Sequence, residues 1–224
     1  MSRAYLHREN ASERNLRASK TPNLQRKRLK RFKQGRISVR KEVRKQQRIR
    51  NNFTRNIYRK LSSLLPKHIR TTAKTFGDTG LFSRNTMYRN LENELFAVMT
   101  QHYRRIFIST FKDNEAKYEK INKSIDVSIF GRNEDIERLV MLYNNERQLF
   151  LAYMTQSVIN SVQKIISEGR AKGSTLTQIS KDIVKTTPIA RRRAAAIART
   201  ETHNAVSFAN HEYHKVVKDE YDIK

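Results

Sequence analysis

Cysteine is absent from the 224 residues, and glycine and proline are scarce, at six and three. Without cysteine there is no disulfide framework, no thiolate zinc site and no cysteine nucleophile, and nothing points to an oxidising compartment. So few helix breakers favour long helices over short strands and turns. The opening MSRAYLHREN has no apolar segment of the secretory kind. No run approaches the roughly 18 apolar residues that a membrane span needs. A soluble protein made in the cytosol is expected, with length for one or two domains and a sizeable core.

Acidic residues are also missing where they matter most. Residues 1–75 hold 24 Lys and Arg against three Glu and no Asp, a net of +21 out of the +26 for the whole chain. The other 149 residues carry only +5. Such asymmetry describes a basic arm for a polyanion joined to an ordinary folded body. The densest stretch, residues 25–50, has 13 cations and one acid: Arg26, Lys27, Arg28, Lys30, Arg31, Lys33, Arg36, Arg40, Lys41, Arg44, Lys45, Arg48 and Arg50. Phe32 is its only aromatic residue. That favours sequence-independent contact with nucleic-acid phosphates over base stacking or groove reading. Docking of the basic face on an acidic protein is the rival account, and the two can coexist.

Periodicity organises the rest. Residues 1–35 show no sustained apolar period, and NLQRKRLKRFKQGR (23–36) repels itself, so the arm is expected to be disordered or only conditionally helical. Val39, Val43, Phe53, Ile57, Leu61 and Leu64 recur mostly four apart and predict a helix that Pro66 ends. HIRTTAKTFGDTGLFSRN (68–85) reads as a connection. Met87, Leu91, Leu95, Val98, His102 and Ile106 line a second helix that ends between Asp113 and Lys123. SIDVSIFG (124–131) alternates weakly, as a short strand would.

A third helix is expected over about 134–168, with Leu139, Tyr143, Phe150, Tyr153, Ile159, Val162 and Ile166 on its apolar side. Gly169 and Gly173 mark a stop and a turn. Thr175 with Gln178 forms a capping-box pattern ahead of Leu176, Ile179 and Ile183. Thr187 as N-cap and Pro188 at the first position then open a last helix reaching about Val217. The expected fold is mainly α and elongated, with long helices, a basic N-terminal arm and at most a minor β element. Its divisions are a basic arm and helix (1–66), a connection (67–84) and a helical body (85–224).

Within the last helix, RAAAIARTETHN (193–204) combines small residues with charged ones. Ala190, Ala194, Ile197, Ala198, Ala205, Phe208 and Val216 fall within about 100° of one another on the helical wheel. The small side chains allow another helix to approach closely. Glu201 and Glu212 lie in the same sector, whereas Arg199 projects about 160° from Glu201, too far to pair with it. An inward Glu201 needs an Arg or Lys from another helix, or free N–H groups at a helix start. It could act as a general acid or base, or as a buried pin that fixes how two helices dock. No second carboxylate or histidine stands at a fixed spacing from it, and the docking role is preferred.

His203, His211 and His214 project within about 80° of each other. HEYH lacks the four-residue spacing of the zinc-binding H-E-x-x-H helix, and Lys215 and Lys218 oppose a cation. A solvated polar face is the preferred account of them. Neither a Gly-rich phosphate loop nor a Ser/His/Asp arrangement is present, so no cofactor, no metal and no enzymatic activity are expected.

The tail is similar in sequence to the phage head morphogenesis family, the Mu F-like minor head proteins. Gly169 and Gly173, then Leu176, Ile179 and Ile183, then Ile189 carry the resemblance. It continues through Arg193-Ala194, Ile197-Ala198-Arg199-Thr200-Glu201 and Ala205, and covers about residues 160–217. It implies a minor capsid protein of the tailed-phage virion, portal-associated inside the head, with roles in head assembly and in packaging or ejection of viral DNA. The implied partners are the portal protein, phage DNA and other copies or neighbouring head proteins, with no membrane in the assembled head. Arg193, Ala194, Ile197, Ala198, Arg199, Thr200 and Glu201 are assigned to helix docking. The family commonly continues into a smaller mixed α/β portion, and nothing residing there is carried over. The runner-up is a cellular, sequence-independent nucleic-acid-binding protein, and a metal-dependent nuclease using the histidine face comes third.

Overall fold

The structure is a computed structural model that describes residues 22–121 and 133–221, with side chains for 39–118 and 134–218. Five helices account for nearly all of them: α1 (Pro22–Thr79), α2 (Arg84–Ile121), α3 (Asn133–Ala171), α4 (Leu176–Lys185) and α5 (Thr187–Tyr221). The protein is helical with long helices, and no strand occurs among the described residues. The expected strand at 124–131 lies outside them. The chain divides into two compact units, residues 1–49 and 50–224. In the first, the described residues belong to the N-terminal part of α1; the second holds the rest of α1 and all of α2–α5.

One expectation about α1 is overturned. Of the two accounts of the arm, the helical one describes residues 22–35, since the chain is helical from Pro22; residues 1–21 lie outside the described set. Arg, Lys, Gln and Leu dominate residues 22–35, and all are good helix formers. The stop expected at Pro66 does not occur, and most of the expected connection is helix. Proline in a helix interior costs about 3 kcal/mol because it removes a backbone donor and crowds the preceding turn. Here Ile69, Ala73 and Phe76 are buried beyond it, continuing Leu61 and Leu65 at helical spacing. Burying a large apolar side chain contributes about 1.5–3 kcal/mol, so two such residues past the proline offset its penalty. At the other end of the stripe, Val39 and Val43 are exposed, Phe53 is partly buried, and Ile57, Leu61 and Leu64 are buried.

In the second unit α2 packs along α3 and α5, and α4 closes against α3 and α5. Met87, Leu91, Leu95, His102 and Ile106 are buried as the spacing of α2 predicts. On α3, Leu139, Tyr143, Ile159, Val162 and Ile166 are buried; Tyr153 is instead exposed, and Leu151 and Val158 take the inward positions.

The α3–α4 corner shows what each glycine does. Gly173 has φ +66, in the left-handed region. Its N–H reaches Arg170 O at 3.0 Å while Ser174 N reaches Gly169 O at 2.9 Å, a Schellman closure of the helix. Gly169 is not the stop expected of it, because α3 runs through to Ala171. It serves packing instead: a Cβ there would lie 2.5 Å from Ile179 Cγ1 on α4. Thr175 caps α4 by accepting from Gln178 N at 3.2 Å. The reciprocal half of the box is replaced, since the Gln178 amide points to Asp182. Thr187 does not cap α5. Its hydroxyl donates back to Val184 O at 2.6 Å, and Thr186 O accepts from Ile189 and Ala190.

Candidate functional site

Two features carry chemistry: the inward carboxylate of α5 and the cationic face of α1. Along α5 the buried positions are Thr187, Ala190, Ala194, Ile197, Ala198, Glu201, Thr202, Ala205, Val206, Ala209, Tyr213 and Val217. Small residues dominate, so α5 lies close to α2 and α3. Phe208 and Val216, expected inward, are only partly buried. The buried arc is wider than the expected sector because α5 touches α2, α3 and α4 at once.

Glu201 is fully buried and reached from two helices. From α2, Tyr103 OH donates to its Oε2 at 2.7 Å. From α3, Arg147 donates through Nε to Oε2 at 3.1 Å and through Nη2 to Oε1. The carboxylate thus binds the guanidinium fork with both oxygens. Arg147 also lies 4.7 Å over the Phe150 ring, and its side chain keeps 23% exposure. The hydrogen bond to Glu201 raises the guanidinium pKa further. Burial, and then the Glu201 charge, raise those of Tyr103 and of Tyr143, whose ring meets Tyr103 edge-on at 4.7 Å. Both phenols therefore stay protonated.

Other polar pairs join the same three helices. His102 Nε2 lies 3.1 Å from Thr202 Oγ1. Asn144 donates to Thr100 Oγ1 at 3.0 Å, and Asn114 to Asn210 Oδ1 at 2.9 Å. Burial, reinforced by Lys60 and Arg105, holds the His102 pKa down to about 3, so its imidazole is neutral at physiological pH.

The family-like residues separate into two groups. Ala194, Ile197, Ala198 and Glu201 are buried against the neighbouring helices, and Arg193 ties α5 to α3 through Ser157 O at 3.2 Å and Ser161 Oγ at 3.4 Å. Arg199 and Thr200 are exposed, so they do not dock helices within this chain. Of the Arg-Thr-Glu triplet, only Glu201 is buried among the neighbouring helices.

Arg147 and Tyr103 were not anticipated as partners. Arg147 had a sequence signal: it follows Tyr143 by four residues and precedes Leu151 by four, which puts a cation on the apolar stripe of α3. His203, His211 and His214 are exposed, with His214 Nδ1 3.1 Å from Tyr118 OH. Among the described residues, no group of three His, Cys, Asp or Glu is placed to hold a metal ion. None of the described helices is long and apolar enough to cross a membrane.

All thirteen candidate phosphate contacts lie on α1. The side chains of Arg26, Lys27, Arg28, Lys30, Arg31, Lys33 and Arg36 are outside the described set. Arg40, Lys41, Arg44, Lys45 and Arg48 are exposed. At 100° per residue, Arg40, Lys41, Arg44 and Arg48 fall within about 100° of one another, a single cationic stripe. Arg50 belongs to a different face and is half-buried, with its Nε enclosed. Compared with known protein families, curated proteins and solved structures, the chain matches none.

Proposed function

We propose that the chain is a non-enzymatic minor head protein of a tailed phage, bound near the portal vertex inside the virion. In this reading the helical body docks on the portal or on neighbouring copies, and α1 contacts packaged DNA without reading its sequence. The observation that carries it is the stripe of Arg40, Lys41, Arg44 and Arg48, solvent-facing on a helix that lies mostly within residues 1–75, where the chain holds three Glu and no Asp. Such a stripe matches a phosphate backbone and gains from counterion release. The virion setting rests on the resemblance of residues 160–217. The geometry of Glu201 supports docking over catalysis, because Tyr103 and Arg147 occupy its oxygens and no substrate-sized opening reaches it among the described cavities.

The test is binding of the full chain to a mixed-sequence DNA duplex across a salt series, by fluorescence anisotropy. The wild type is expected to weaken steeply with salt and to ignore sequence. Replacing the four stripe cations by Gln should reduce the slope of log K against log salt by about 3–4, at roughly 0.9 per phosphate contact. Salt-insensitive binding by the wild type sinks the DNA reading. Absence of the chain from purified heads by mass spectrometry sinks the virion setting.

A further inference from the structure

The second unit contains a groove of about 400 Å³ lined by Tyr58, Ser62, Ser63, Pro66 and Arg70 of α1 and by Arg191 of α5. Arg70, Arg191 and Ser63 are exposed, and Tyr58 and Ser62 are half-buried. The lining combines two guanidiniums with three hydroxyls and contains no carboxylate. Several other cations of the second unit are differently placed. Lys67 is paired with Glu94, Arg104 with Glu137, and Arg147 with Glu201. Neither Arg70 nor Arg191 has a carboxylate partner among the described residues, so both forks remain available. An Arg fork matches the geometry of a phosphate, and hydroxyls donate to its remaining oxygens. The volume suits a sugar-phosphate unit better than a bare ion.

We propose that this groove is a second nucleic-acid contact, in which Arg70 and Arg191 hold a backbone phosphate and the hydroxyls of Tyr58, Ser62 and Ser63 orient it. The proposal rests on the DNA-contact reading and locates part of that contact in the folded body, apart from the stripe at residues 40–48. Pro66 contributes the apolar floor and no donor. Ser62 Oγ already donates to Arg59 O at 3.1 Å, so its oxygen must release that bond to donate to a ligand.

The experiment uses the full chain, the same mixed-sequence duplex and the same salt series. Arg70→Gln with Arg191→Gln should lower the slope by about 1, for the one phosphate that the pair holds, at roughly 0.9 per phosphate. Arg70→Lys with Arg191→Lys should restore the slope while binding more weakly than wild type, because the charge is kept and the fork is lost. Both positions are solvent-facing, and an unchanged helical circular-dichroism spectrum checks that the Gln pair is folded. If the Gln pair keeps the wild-type slope while the four-cation stripe variant loses its share, the groove is not a contact and the DNA reading stands. A wild type with no salt-dependent binding overturns both. A third arm titrates inorganic phosphate against thermal unfolding. Stabilisation of wild type but not of the Gln pair, with an unchanged duplex slope, assigns the groove to free phosphate and overturns the backbone proposal.

Discussion

Arg147 and Glu201 come from α3 and α5 and meet in a two-pronged ion pair, with Arg147 Nε 3.1 Å from Glu201 Oε2. Glu201 has no exposure, so removing Arg147 leaves it with a buried, uncompensated charge. Breaking a fully buried pair costs about 3–5 kcal/mol. Arg147→Met should approach that loss, since Glu201 then keeps only Tyr103. Glu201→Gln should lose less, about 2–4 kcal/mol, because Arg147 retains some access to water and Gln still accepts from Tyr103. The double variant is expected to be more stable than the Arg147→Met single. Urea unfolding of all four chains measures the coupling, and strictly additive losses would show that the pair does not fix the helices together.

Gly169 tests close packing. Alanine is favoured over glycine in a helix by about 1 kcal/mol, so Gly169→Ala on an open surface would stabilise. Its Cβ would instead stand 2.5 Å from Ile179 Cγ1 and 2.9 Å from Cδ1. Overpacking of this kind costs about 1–3 kcal/mol, so a net loss is expected. In an Ile179→Ala background only Ile179 Cβ, at 3.5 Å, remains in the way. The same Gly169→Ala change should there become neutral or stabilising, a reversal that thermal unfolding of the four chains can detect.

What could be read before the structure follows from how far each rule reaches. The stripe of α2 was legible because Leu91, Leu95, His102 and Ile106 recur at helical spacing, although Met99 and not the expected Val98 is the buried residue between them. Pro66 was misjudged because a local penalty of about 3 kcal/mol was weighed without the burial of Ile69 and Phe76 beyond it. Glu201 was legible as inward, and as needing a cation from elsewhere, from the wheel and the cost of a buried charge. Naming Arg147 required the register between α3 and α5, which no single-helix pattern contains. Tyr213 and Val217 were missed for a related reason: the arc that α5 buries depends on how many helices surround it.

His102 gives the fold an acid sensitivity whose sign follows from burial. Its folded-state pKa is about 3, below the ordinary 6.5, so between those values the unfolded chain binds a proton that the folded chain does not. Stability therefore falls as pH drops through 6.5 towards 3, at about 1.4 kcal/mol per unit well below 6.5. His68 shifts in the same direction, chiefly from burial, and adds to the wild-type trend. His102→Gln keeps an amide that can reach Thr202 and removes the titration. Between pH 7.5 and pH 5 the variant should lose about 2 kcal/mol less than wild type in urea midpoint experiments. Equal losses in the two chains would mean that His102 protonates in the folded state near its ordinary pKa.

Pro66 sits in the interior of α1 and is buried, so its replacement sets two terms against each other. Pro66→Ala restores a backbone N–H to the helical ladder and removes the ring from the preceding turn, a gain of about 3 kcal/mol. The loss of ring methylenes from a buried site costs about 1–2 kcal/mol, at roughly 0.8 per buried methylene. The difference favours the alanine chain by about 1–2 kcal/mol, equivalent to a rise in Tm of roughly 2–8 °C for a domain of this size. A fall in Tm would show that the ring packs better than its burial alone implies. Because Pro66 forms only the apolar floor of the groove between Arg70 and Arg191, the same substitution should leave the salt slope of duplex binding unchanged. A change in slope would make the groove's shape, and not only its two charges, part of the contact.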